Sequence, residues 1–233
     1  MKKLFENRRD AGRQLARALQ KYDHAENTVV LALPRGGVPV ADEVAWALSL
    51  PLDLWLVRKL GAPGQKELAM GAIAAGGVRV LNDSVIQNLG VSPEEIDTVC
   101  AAEERELARR NHLYRGGRPA PDLAGRTVII VDDGLATGAS MHAAVKSLRA
   151  AGAKKIVVAV PACAMESCET LVDDAEEIIC FHTPEPFWSV GQCYHDFSQT
   201  EDAEVLQIMA QYRPKQKETP AASSAGEGQI SRR

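Results

Sequence analysis

Charge of one sign, paired cysteines and long apolar runs are all scarce in this sequence. A formal charge of −4 over 233 residues leaves no overall basic field, so a nucleic acid would need a local patch, and composition argues against such a partner. The five cysteines, Cys100, Cys163, Cys168, Cys180 and Cys193, form no C-x-x-C pair and no regular framework, which predicts reduced thiols, with Cys163 and Cys168 as small buried side chains. His182 and His195 have no partner at a metal or triad spacing and read as structural. The opening ten residues break into charge before an apolar stretch forms, unlike a secretory leader. No run approaches the roughly 18 apolar residues of a spanning helix. The expectation is a soluble, cytoplasmic protein without membrane contact.

What is present suffices for a core. At 45% apolar content the chain can bury one without disulfides or a structural metal. Residues 1–213 read as one domain, and the Lys-, Pro-, Ala- and Ser-rich residues 214–233 as a disordered tail. Leu15, Ala18 and Leu19 predict an amphipathic helix over 10–22 that carries no chemistry. The apolar strand 29–33 stops at Pro34-Arg35-Gly36-Gly37, and a helix and a second strand over 52–57 complete a βαβ unit. Residues 58–68, with Gly61, Pro63 and Gly64, read as a mobile loop, and Gly76-Gly77 as a hairpin turn. Ser92, Pro93 and Glu95 announce a helix running to about Tyr114. A second βαβ unit follows, from the strand 127–131 through a helix ending at Gly152 to the strand 155–160. A helix over 166–172 and a strand over 177–181 continue the alternation. The fold class is α/β, a mostly parallel, Rossmann-like sheet flanked by helices.

Ligands of such sheets bind at the C-terminal strand edge, where Asp132 and Asp133 fall. Paired carboxylates suit sugar hydroxyls or a hydrated cation. The glycine-bounded turn Gly134-Leu135-Ala136-Thr137-Gly138 offers converging amides to a phosphate. The Thr137 and Ser140 hydroxyls and the positive end of the next helix add to it.

An apolar strand, two acids, three residues and Thr-Gly-x-Ser before a helix resemble the signature for 5-phosphoribosyl-1-pyrophosphate (PRPP) of the type I phosphoribosyltransferases, matched over residues 128–140. The resemblance implies that family's fold, with a small hood. It implies that Asp132 and Asp133 face the ribose hydroxyls, and that Gly134, Leu135, Ala136, Thr137, Gly138 and Ser140 cradle the 5-phosphate. Gly134 departs from the larger apolar residue many members carry. Arg35, Gly36 and Gly37 resemble the pyrophosphate loop, Arg58 and Lys59 the basic pair aimed at the leaving group, and Lys66 and Glu67 part of a flexible lid. The implied reaction transfers the 5-phosphoribosyl group of PRPP to a nitrogen acceptor, a nucleobase first of all, with release of pyrophosphate and with Mg²⁺ held through PRPP beside Asp132 and Asp133, in an enzyme commonly dimeric. The hood is the helical insertion 84–118, the aromatic segment 187–197, or both. In the latter, Trp188 or Tyr194 can stack on a base or simply pack. A non-catalytic PRPP sensor and another phosphosugar enzyme are the alternatives.

Overall fold

The computed structural model describes residues 3–212, with the backbone but not the side chains of Lys66 and Glu67. A five-stranded parallel sheet is ordered β2 (Leu52–Leu54), β1 (Thr28–Ala32), β6 (Thr127–Val131), β7 (Lys155–Ala162) and β8 (Glu177–His182). The β1 and β6 strands are adjacent, in register from Thr28 opposite Thr127 to Ala32 opposite Val131. Their side chains alternate between two cores, because successive Cβ atoms leave opposite faces of a strand. Val30, Ala32, Ile129 and Val131 meet α1 (Arg8–Ala18) and α2 (Gly37–Ala47) on one face. Val29, Leu31, Val128 and Ile130 meet α5 (Ala139–Ala150) on the other. Burial on both faces is why these strands read as unbroken apolar runs.

A second, antiparallel sheet of three strands, β3 (Val57–Ala62), β4 (Gln65–Ala74) and β5 (Val78–Leu81), stands beside the first. It corrects two expectations. The predicted strand 52–57 breaks after Leu54: Trp55 is buried, its Nε1 donates to Ser147 Oγ at 2.8 Å, and the chain then passes to the other sheet. The predicted mobile loop 58–68 is instead mostly ribbon. Gly61, Pro63 and Gly64 mark only its turn, where Gly64 has a φ of +74°, while Leu60, Ala62 and Met70 are buried and anchor the ribbon to the core.

After β5 come α3 (Asp83–Leu89) and α4 (Pro93–Arg115). The Ser92 side chain accepts from the Glu95 amide and the Glu95 carboxylate accepts from the Ser92 amide, as the sequence predicted, and Gly116 closes the helix in the left-handed conformation. After β7, the short α6 (Met165–Glu169) turns the chain back. There the expectation of reduced thiols fails for one pair. The reversal brings the Cα atoms of Cys163 and Cys168 to 6.6 Å and the sulfurs are bonded, while Cys100, Cys180 and Cys193 are free. The last helix among the described residues, α7 (Asp202–Gln211), buries Val205, Ile208 and Met209; sequence reading passed it over, though this spacing is helical. The tail 214–233 lies outside the described residues. Among the described residues no helix is long and apolar enough to cross a membrane.

Candidate functional site

Because β1 and β6 are parallel neighbours, their C-terminal ends present two loops side by side. The loops interlock through glycines. A Cβ on Gly36 would lie 2.1 Å from Asp133 Oδ2, and one on Gly37 2.7 Å from the Val131 carbonyl oxygen and 3.1 Å from Asp132 Oδ1. No larger residue fits either position without moving the acidic pair. Beside them opens a cavity of about 190 Å³, walled by Pro34, Arg58, Lys59, Asp132 and Ser140 among others. Sequence-predicted residues from three separate segments thus share one space.

The two acids part ways within it. Asp132 lines the cavity, and its Oδ1 accepts the Asp133 amide at 2.9 Å. Asp133 is ion-paired: Arg8 Nε donates to its Oδ2 at 2.8 Å, Arg8 Nη1 donates to the Ser198 carbonyl at 2.6 Å, and the guanidinium lies 4.0 Å from the centre of the Phe197 ring. Tyr194 Oη donates to the Asp133 carbonyl at 2.5 Å. Burial pushes the Asp132 carboxyl well above the usual carboxylate range, and the neighbouring Asp133 charge adds to the shift. Burial also raises Asp133, against the opposing pull of Arg8.

The phosphate-loop candidate is built into the sheet edge. The Leu135 amide donates to the Ala162 carbonyl, and the Leu135 carbonyl accepts from Ala164, each at 2.9 Å, while Ser167 Oγ donates to the Ala136 carbonyl. Thr137 stays exposed. Gly138, at a φ of +72°, caps α5, whose first turn carries Ser140. Gly134 is accounted for by its surroundings: a Cβ there would sit 2.5 Å from Val190 Cγ1, so Val190 fills the space that a side chain at this position would need.

The basic residues are mostly engaged. Arg58 Nε donates to Glu103 of α4 at 2.6 Å. Arg35 Nη1 reaches Asp202 at 3.4 Å, and the same carboxylate accepts from Tyr114 at 2.6 Å. Burial, with that hydrogen bond behind it, pushes the Tyr114 phenol up to about 12. Lys59 shares the cavity wall with Arg58. The side chains of Lys66 and Glu67 lie outside the described residues.

Both hood candidates reach the site, from different sides. Leu107 and Arg110 of α4 line the cavity, whereas in the aromatic segment Val190 closes on Gly134 and Tyr194 on Asp133, with Phe197 stacked on Tyr194 and beneath Arg8. Tyr194 is 1% exposed and packs; Trp188 is 80% exposed. Sequence reading missed Arg8, which lies 125 positions from its partner Asp133, and gave its helix no chemistry. It also missed Arg110, one arginine among several on a charged helix. Neither residue carries a local signal that marks it out.

The family model "Phosphoribosyl transferase domain" matches residues 3–198. Proteins from two strains of Mycobacterium tuberculosis, each provisionally named a phosphoribosyl transferase, are 48% identical over 207 residues, covering 89% of this chain and 46% of theirs. The chain therefore spans about half the length of the curated relatives it matches. A crystal structure from Thermus thermophilus superposes with a TM-score of 0.82 at 41% identity, covering 90% of this chain and 99% of that one. With a parallel sheet in this order, two interlocked loops at its edge and a family match across nearly all the described residues, the chain belongs to the phosphoribosyl transferase domain family and has the type I phosphoribosyltransferase fold.

Proposed function

We propose that the chain transfers the 5-phosphoribosyl group of PRPP to a nitrogen acceptor, probed first as a nucleobase, and releases pyrophosphate. The observation that carries this reading is the shared cavity: Asp132 and Ser140 of the signature face the same space as Pro34, Arg58 and Lys59. The amides of residues 134–138, the Thr137 and Ser140 hydroxyls and the positive end of α5 hold the 5-phosphate. Asp132 orients the ribose hydroxyls. Asp133, ion-paired with Arg8, fixes the loop against Gly36. Arg58 and Lys59 stabilise charge that grows on the leaving diphosphate. Arg35 joins them by leaving Asp202.

The donor set suits a hard cation. Asp132 offers one cavity-facing carboxylate while Asp133 is engaged by Arg8, which fits Mg²⁺ held mainly by diphosphate oxygens and water. When bound, the ion offsets diphosphate charge. The exposed Trp188 is the ring available to stack on an acceptor.

One observation favours a second reading, a PRPP sensor without turnover. Both guanidinium groups expected at the diphosphate are held by acids, Arg58 by Glu103 and Arg35 by Asp202. A single experiment separates the two. Full-length protein is incubated with PRPP, Mg²⁺ and a panel of purines, pyrimidines and other amines, and pyrophosphate release and nucleotide formation are scored beside thermal protection by PRPP. Release with one acceptor class supports transfer. Protection without release identifies a sensor, and no protection at saturating PRPP defeats both.

A further inference from the structure

Helix α4 lies outside the signature, yet it brings a further base into the cavity. Arg110 lines the same space as Arg58, Lys59 and Asp132, one turn beyond Leu107, which is buried. The helix also carries the carboxylate that holds Arg110 in place. Glu106 Oε1 accepts from Arg110 Nε at 2.7 Å, at i+4. The same carboxylate accepts from Arg109, at i+3, through Nε at 2.7 Å and Nη2 at 2.9 Å. These two arginines, Arg109 first, draw the Glu106 carboxyl down to about 2.

The arrangement is asymmetric. The Arg110 side chain is 28% exposed and faces the cavity; that of Arg109 is 60% exposed and does not line it. If Arg110 turns to an anion, Glu106 keeps a bidentate partner in Arg109, so no carboxylate is left unpaired. Arg58 lacks this advantage, because Glu103 has no second cation partner among the described residues. Arg110 is therefore the guanidinium in this cavity released at least cost. Its planar fork suits two oxygens of one phosphate group, beyond what the Lys59 point charge can grip.

We propose that Arg110 is a specificity-determining ligand for a diphosphate group, by which the helical insertion makes the cavity select a diphosphate over a monophosphate. The inference rests on the reading of the cavity given above. In the bound state Arg110 contacts the distal phosphate, Glu106 stays with Arg109, and Arg58 and Lys59 hold the rest of the diphosphate.

The test is isothermal titration of the full chain with inorganic pyrophosphate and, separately, inorganic phosphate, in Mg²⁺ buffer. The proteins are wild type, Arg110→Ala, Arg110→Lys, Arg109→Ala and Glu106→Gln. Loss of a charge-assisted fork predicts about tenfold weaker pyrophosphate binding in Arg110→Ala, with phosphate binding little changed. Arg110→Lys falls between, Glu106→Gln binds pyrophosphate more tightly, and Arg109→Ala, which leaves Glu106 only Arg110 to pair with, binds it about two- to fivefold more weakly than wild type, the range of a partly exposed pair. Thermal unfolding checks that Arg110→Ala remains folded; should it not, Glu106→Gln and Arg110→Lys decide. Equal pyrophosphate binding by wild type and the Arg110 variants overturns the role of Arg110 and leaves the cavity reading standing. A wild-type protein that binds neither pyrophosphate nor PRPP sinks the cavity reading and this inference with it.

Discussion

Arg8 at the start of α1 and Asp133 at the end of β6 form an ion pair of 2.8 Å, with side chains only 12% and 15% exposed. The pair ties the N-terminal helix to the loop that carries the two acids. Removing one partner of a largely buried pair strands the other charge, whereas removing both charges does not. Arg8→Ala is expected to lose about 3 kcal/mol of stability in urea denaturation, and Arg8→Met combined with Asp133→Asn to recover a good part of it. Additive losses in the double variant would show that the pair is not the coupling the geometry describes.

Gly134 and Val190 meet where a Cβ would stand 2.5 Å from Val190 Cγ1 and 2.9 Å from Cγ2. Gly134→Ala therefore overpacks the contact and is expected to cost about 1–3 kcal/mol. Val190→Ala in the same chain makes room and restores most of that loss. Thermal melts of the two single variants and the pair decide the matter. A neutral Gly134→Ala would mean that the aromatic segment moves freely over the loop.

The same contact shows why parts of the site were legible in the sequence and others were not. Strand β6, its two acids and the turn before α5 are contiguous, so strand period, carboxylates and glycines could be read together. Arg58 and Lys59 were legible as a basic pair, although they stand near the start of β3, in a second sheet that begins only after Trp55 turns inward, and not at the end of the strand expected over 52–57. Arg8, Val190 and Arg110 reach the site through tertiary packing. An arginine in a charged helix looks the same in sequence whether it faces a cavity or solvent, as Arg109 and Arg110 illustrate. The Cys163–Cys168 bond was missed for a like reason. Spacing alone cannot reveal that β7 ends in a reversal bringing the two Cα atoms to 6.6 Å.

At Asp132 stability is set against the ribose-binding role proposed for it. Its carboxyl is raised by burial and by Asp133 from an ordinary value of 3.8, so the folded state keeps a proton that the unfolded chain has already released. Folded protein then binds more protons than unfolded, and stability falls as pH climbs from about 3.8 toward the folded value. Asp132→Asn removes that fall while its amide oxygen can still accept the Asp133 N–H. At neutral pH the variant should be more stable than wild type, and it should lose the thermal protection that PRPP is proposed to give. Urea denaturation of both proteins at acidic and neutral pH gives the slope. Parallel pH profiles would rule out the raised carboxyl.

The bond between Cys163 and Cys168 makes a countable prediction. The protein holds five cysteines, of which Cys100, Cys180 and Cys193 are free. Denatured without reductant and alkylated, the chain should take up three labels, and after reduction five, with peptide mapping placing the protected pair at Cys163 and Cys168. Closing so short a loop restricts the unfolded chain modestly, so reduction is expected to lower stability by about 2 kcal/mol on a chain-entropy account. Its effect should reach the phosphate loop as well. The Leu135 carbonyl accepts from the Ala164 amide and the Ala136 carbonyl from Ser167 Oγ, both donors lying between the two cysteines. Amide hydrogen exchange of residues 134–138 should therefore quicken when the bond is cut, and Cys163→Ser with Cys168→Ser should reproduce the change without reductant. Five labels on the unreduced chain would remove the bond and this coupling together.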